Sequence, residues 1–118
     1  KEAEHMIVVN DTLSRADLKS MAAAKYKDAV NAVVDVRRGV MAVDAERHAD
    51  LEHMLMEIGS SQKDIWGIDL HPDAADDGLI QFHAKINIRP SQGNHSMNVE
   101  SDELRQAIKE IVAVKIVG

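Results

Sequence analysis

"AVNAVVDVRRGVMAVD", residues 29–44, is the stretch whose reading decides the fold. Val30, Ala32, Val34 and Val36 fall on one face, and Asn31, Val33, Asp35 and Arg37 on the other. That is the period of two expected of a β-strand. Arg38–Gly39 then offers a two-residue turn, because glycine accepts the positive φ that tight hairpins need. Val40 to Val43 returns as a second strand. Two strands joined without an intervening helix argue for a hairpin, and so for an antiparallel or mixed sheet.

The flanking segments extend this frame. "MIVV" (6–9) is short, β-branched and bounded by Asn10–Asp11, which predicts a strand. Ser14 and Asp17 form an S-x-x-D start, predicting a helix over Arg15 to Tyr26. Asp44 is the expected cap of a second helix with an apolar stripe of Leu51, Met54, Leu55 and Ile58, and Gly59 stands where a left-handed C-cap belongs. "IWGIDLHP" (65–72) places Trp66, Ile68 and Leu70 on one strand face. "LIQFHAKINIR" (79–89) is the cleanest alternation: Ile80, Phe82, Ala84, Ile86 and Ile88 point inward, and Gln81, His83, Lys85, Asn87 and Arg89 outward. Ser101 caps a last helix carrying Leu104, Ala107, Ile108, Ile111 and Val112 on its buried side. The order is β-α-β-β-α-β-β-α. The expected architecture is α+β: a two-layer sandwich, its mostly antiparallel or mixed sheet of about five strands carrying three helices on one side.

Composition narrows the class. The 118 residues fit one domain, expected over 6–118, with 1–5 an extension ahead of Met6. There is no cysteine, hence no disulfide framework, thiolate nucleophile or zinc–sulfur site. No apolar run reaches the roughly 20 residues that span a bilayer. The start, "KEAEHMIVV", lacks the basic and apolar regions of a signal peptide, so the expected location is cytoplasmic, with no membrane partner. A net charge of −6 disfavours nucleic acid, which is bound through basic faces. An RNA-binding reading would have to use Arg37, Arg38, Lys85 and Arg89. With aromatics at 3%, stacking platforms are scarce too.

The segment after Arg89 draws the functional reading. Pro90 ends strand pairing, Gly93 permits close approach, and Gln92, Asn94, His95 and Ser96 crowd the strand's end. Arginine offers a bidentate fork to a carboxylate or phosphate, and amides orient it. The expected ligand site is Arg89, Ser91, Gln92 and Asn94, with Asn87, Trp66 and Asp69 beside them. The plainer account is that Arg89 and Asn94 bond loop carbonyls and fix a turn. Trp66 is weighted toward core packing, and Gly67 toward a bulge or close backbone approach.

Two chemistries compete with simple binding. His48 and Glu52, four apart on one helix face, could begin a metal site with His71, His83 or Asp69, but no diagnostic ligand spacing accompanies them. His48, Asp35, Asp69 and the loop's polar groups could serve a small hydrolase, with Ser91 or Ser96 as nucleophile. No nucleophile elbow, glycine-rich phosphate loop or dinucleotide fingerprint is present, so no cofactor is expected.

The stretches "VVDVRRGVMAV", "GSSQKDIWGIDLHP" and "INIRPSQGN" resemble those of a small bacterial family of uncharacterised proteins, a domain-of-unknown-function family of about this length. The similarity runs from Met6 to the last helix, with "INIRPSQGN" its most specific piece. The family pattern has arginine, serine, arginine at His95, Ser96 and Met97, and an acidic residue at His83. The resemblance therefore gives His83, His95 and Met97 no role, whereas Asp35, His48, Trp66, Arg89, Gln92 and Asn94 match. It implies a shared fold and a shared surface around the loop, and no activity. The expected function is a non-catalytic binding or interaction module for a small anionic ligand, a peptide or a second copy of itself, the last through an open sheet edge.

Overall fold

The computed structural model describes residues 6–118. Its elements are β1 (Ile7–Val8), β2 (Leu13–Ser14), α1 (Arg15–Ala24), β3 (Val30–Asp35), β4 (Val40–Val43), α2 (His48–Glu57), β5 (Ile65–Leu70), β6 (Ile80–Gln81), α3 (Asp102–Lys115) and β7 (Ile116–Val117). Five strands form an antiparallel sheet in the order β1-β4-β3-β5-β6, and β2 pairs in parallel with β7 in a small second sheet. The α+β class is that expected, and the order of elements agrees with expectation apart from the two short strands β2 and β7. The extension over 1–5 lies outside the described residues.

The helices do not share one side. Leu18 and Ala22 of α1 and Ile108 and Val112 of α3 pack with Ala32, Val34, Met41, Val43, Trp66, Ile68 and Leu70. Leu51 and Leu55 of α2 pack with Val33, Ala42 and Ile65, which point the other way. Alternate residues of β3, β4 and β5 thus feed two cores, and α2 covers the face expected to be open. The cause is legible: that face carries Val33, Ala42 and Ile65, and an apolar patch of this kind needs a cover. Full burial of Leu51 and Leu55 contributes roughly 1.5–3 kcal/mol each.

Local chemistry explains the element ends. Asp17 N–H donates to Ser14 Oγ and Ser14 N–H to Asp17 Oδ2, both at 3.0 Å, which closes the expected capping box. Ser101 Oγ accepts from Leu104 N–H at 3.2 Å. Asp44 does not cap α2: its φ is +77°, its carboxylate takes Lys25 Nζ at 2.7 Å, and Arg47 holds the cap position without a side-chain bond. The hairpin turn spans 36–39 rather than two residues, because Asp35 Oδ1 accepts the N–H groups of Arg37 (2.9 Å) and Arg38 (3.0 Å) and builds a wider loop. Both edge strands of the main sheet are two residues long, and an edge so short offers a second copy little to pair with.

α1 and α2 end in the same hydrogen-bond pattern with different residues. At α2, Gly59 (φ +109°) donates to Met56 O and Ser60 to Leu55 O. At α1 the left-handed residue is Tyr26 (φ +57°), which donates to Ala23 O while Lys27 donates to Ala22 O. A side chain in that conformation costs about 1 kcal/mol, and Tyr26 recovers little by packing because it is 97% exposed. Tyr26→Gly is therefore expected to stabilise the domain by about 0.5–1 kcal/mol in denaturant titration; a loss of stability would show that the ring has a contact of value.

Candidate functional site

The segment expected as one strand over 79–89 pairs with β5 only at Ile80 and Gln81. Beyond it the chain coils into short 3-10 turns at Lys85–Asn87 and Pro90–Gln92. Asn87, expected outward, is fully buried. Its Oδ1 accepts Gly67 N–H at 2.8 Å, and its Nδ2 donates to Gly67 O and to Met97 O, each at 2.9 Å. One side-chain amide thus bonds both main-chain groups of Gly67, as a neighbouring strand would. This substitution for a ladder partner lets the chain leave the strand geometry its alternation suggests.

Arg89 also turns inward. Its Nε donates to Ile86 O at 2.9 Å, Nη1 to Gln62 O at 2.8 Å, and Nη2 to Ile65 O; the guanidinium lies 4.3 Å from the centroid of the Trp66 ring. Burial pushes its pKa down, while nearby Glu52 and Asp64 favour the cation. The fork expected to grip a ligand instead ties the 62–65 turn to the 86–92 segment. Asn94 is 97% buried: its amide donates to Asn87 O (2.7 Å), Ser96 O (3.0 Å) and Asn98 O (2.7 Å), and its Oδ1 accepts Glu100 N–H at 2.8 Å. Gln92 Nε2 donates to Lys63 O at 3.0 Å, and Ser91 is exposed at the rim. Glu100 closes the loop by accepting from His95 N–H and the Ser96 hydroxyl, and these bonds hold its carboxyl below the ordinary glutamate range. Arg89, Asn87 and Asn94 therefore act on the main chain, and the guanidinium does not project from the outer face of the sheet.

The other groupings come apart or come together as follows. Asp35 is buried at the turn end of β3, whereas Asp69 pairs with Asn31 at the opposite end, four residues and roughly 13 Å away. Of the four basic residues of the RNA reading, Arg38 donates from Nη1 to Ser60 Oγ, and Arg89 donates to main-chain carbonyls. Glu52 Oε2 accepts from Gln62 while the His48 ring turns to β5, so that pair does not converge. Among the described residues no three His, Asp or Glu side chains gather around a point where a metal could sit.

His48 and Asp69 do meet. His48 Nε2 lies 2.8 Å from Ile68 O and 3.1 Å from Asp69 Oδ1. A carbonyl only accepts, so the ring proton is on Nε2 and is aimed at Ile68, with the carboxylate beside it. The pair borders a cleft of about 400 Å³ where α2 begins, walled by Lys27, Glu46, Arg47, Lys85 and His83, with Ala84, Ile86 and Met97 adding apolar surface. A shallower hollow shares Lys27, Asn31 and Asp69 and continues the groove. Asn31 Nδ2 donates to Ala45 O and Glu46 O, both at 3.1 Å, and so fixes the chain entering α2. Gly67 allows the close packing beneath: a Cβ there would stand 2.5 Å from Ala84 Cβ and 3.1 Å from His48 Cδ2.

Sequence pattern missed Lys27, Arg47 and Asn31, which lie in connections or on the face assigned to solvent. One signal was available: Asn31 and Asp69 are polar residues inside apolar strands, and the antiparallel pairing of β3 with β5 places them opposite each other. A larger crevice, about 590 Å³, lies between β6, α3 and β7, but its walls are mainly aliphatic (Leu79, Ile80, Val112, Ala113, Ile116). No helix among the described residues is long and apolar enough to cross a membrane. The chain belongs to the family described as "Protein of unknown function (DUF5674)", which matches residues 7–115. No curated protein matches it, and no solved structure does.

Proposed function

We propose that this chain, as a member of that family, is a non-catalytic binding module whose cleft at the start of α2 takes a small anionic ligand through Lys27, Lys85 and Arg47, with His48 and Asp69 at its base. One observation carries the reading: Lys27 and Lys85, from separate connections, both line the cleft, and neither has an ion pair among the described residues. Lys27, Arg47 (also 3.6 Å from Asp50 Oδ1) and Lys85 outnumber the Glu46 and Asp69 carboxylates on the lining, so in a chain of net charge −6 this concave site is locally cationic and favours an anion. The start of α2 has no side-chain cap, so its N–H groups add to that field. No serine, threonine or cysteine lines the cleft, so the His48–Asp69 pair has no side-chain nucleophile beside it and a hydrolase here would have to activate water.

The test is thermal unfolding of the protein against inorganic phosphate, citrate and a nucleoside monophosphate, followed by calorimetry on any that stabilise. At least one is expected to raise the melting temperature by several degrees at saturation. Lys27→Ala and Lys85→Ala should each weaken that ligand about tenfold, the loss of one charge-assisted contact, without lowering the stability of the free protein. No stabilisation by any anion, or undiminished affinity in the double variant, would remove the proposal.

A further inference from the structure

α3 buries Ile108 and Val112 in the main core, with Leu104 and Ile111 packed partly against it, and the outer edges of those two continue with Ala107 and Val114 as an apolar row on its flank. Leu104, Ala107 and Ile111 in that row are half-buried and Val114 is 67% exposed. Their spacings of three, four and three are those of a and d positions in a heptad, with Leu104 and Ile111 at a, and Ala107 and Val114 at d. Glu110 and Lys115 then occupy the g and e positions that edge the row. Neither has an ion pair among the described residues; Glu110 only accepts a hydrogen bond from Gln106, one turn away on α3. Alongside, Val36 and Gly39 of the hairpin turn form the second wall of a groove of about 400 Å³ whose α3 side includes Ala107, Ile111 and Val114.

We infer that this face binds the same face of a second copy, with the two α3 helices parallel about a twofold axis. The charges select that arrangement. In a parallel pair, g of one helix faces e of the next heptad on its partner, so Glu110 meets the second copy's Lys115 and the reciprocal contact forms on the other side. In an antiparallel pair, like edges face each other, g against g and e against e, and Glu110 and Lys115 would never meet. The row covers under two heptads, so the dimer is a concentration-dependent one, and the charged flanks carry a large part of its specificity. Both edges of the main sheet are too short to compete for the same role.

Light scattering from micromolar to near-millimolar protein gives the mass. The wild type is expected to move from monomer to dimer over that range, and Val114→Glu to stay monomeric with unchanged circular dichroism. Glu110→Lys and Lys115→Glu should each raise the dissociation constant about tenfold, because two symmetry-related contacts turn repulsive, and the double reversal should restore it. Val114→Cys supplies an independent readout, since the chain has no cysteine of its own. Parallel d positions meet at the axis within disulfide reach, so mild oxidation should yield a covalent dimer. A wild type that stays monomeric throughout, a double reversal that fails to recover the dimer, or a dimer that does not cross-link at 114 would each overturn the inference.

Discussion

Asn87→Ala is expected to cost the domain about 3–5 kcal/mol, as the sum of buried groups left unpaired and a void in the second core. The side chain is wholly inaccessible and serves Gly67 N–H, Gly67 O and Met97 O at once. Removing it strands Gly67 N–H and Gly67 O on the edge of β5, while Met97 O keeps the Ala84 N–H at 3.1 Å; each unsatisfied group costs roughly 1–3 kcal/mol. Such a loss is a large fraction of the 5–15 kcal/mol that holds a typical domain together. Asn87→Asp refines the test. It keeps the shape and the acceptor for Gly67 N–H but loses both donors and buries a charge, so it should be no better than alanine. Denaturant midpoints give the stability, and hydrogen exchange at the Gly67 amide gives the local effect: slow in the wild type, faster in either variant. A cost under about 1 kcal/mol would mean that the edge of β5 is held by something other than this amide.

That same residue marks where sequence reasoning stopped working. The hairpin over 30–43, the capping box at Ser14, the Ser101 cap, the stripe of α3 and most of the order of elements were legible, because each is a local pattern with a local cause. The strand over 79–89 was the strongest pattern of all, and only its first two residues pair. Alternation records which side chains are apolar, and Ala84 and Ile86 do pack inward, but it carries no information about which groups satisfy the backbone, and Asn87 breaks it. A single asparagine able to bond both main-chain groups of a glycine removes the need for a ladder, and nothing in the order of residues announces it. Arg89 fails for a related reason. A guanidinium has five donors and takes carbonyls wherever they cluster; the exposed ends of the 62–65 turn supply them, and those become neighbours only in the folded chain. The placement of α2 was recoverable in principle. Val33, Ala42 and Ile65 share one face across three paired strands, and register alone puts them together. Of the proposed cleft, His48 and Asp69 were singled out on chemical grounds, whereas Lys27 and Arg47 sit in connections whose course no periodicity fixes.

Gly67→Ala tests the cleft and the fold together. Gly67 lies in the middle of β5 in ordinary strand backbone, so an added methyl meets no conformational objection; the constraint is space. The new Cβ would stand 2.5 Å from Ala84 Cβ, 3.1 Å from His48 Cδ2 and 3.2 Å from Ile86 Cγ1. None of these can swing away cheaply. Ala84 has no rotamer to change, and the His48 ring is held by Ile68 O. Overpacking of this kind costs about 2–3 kcal/mol, and the strain has to be relieved by pushing the 84–87 segment off β5, which also lengthens the Asn87 bonds to Gly67. Ala84 and Lys85 would move outward together, and the cleft would widen on one side. The expected result is a domain destabilised by that amount, with anion affinity lowered at a position that touches no ligand. Ala84→Gly in the same chain removes the worst overlap. A double-mutant cycle between positions 67 and 84 should then show coupling of about 1 kcal/mol or more, with partial recovery of both stability and binding. Recovery of stability without binding would place the ligand elsewhere while leaving the packing account intact. A Gly67→Ala protein as stable as the wild type would mean that the 84–87 segment does not lie against β5 at this spacing, and the wall carrying Lys85 would have to be placed anew.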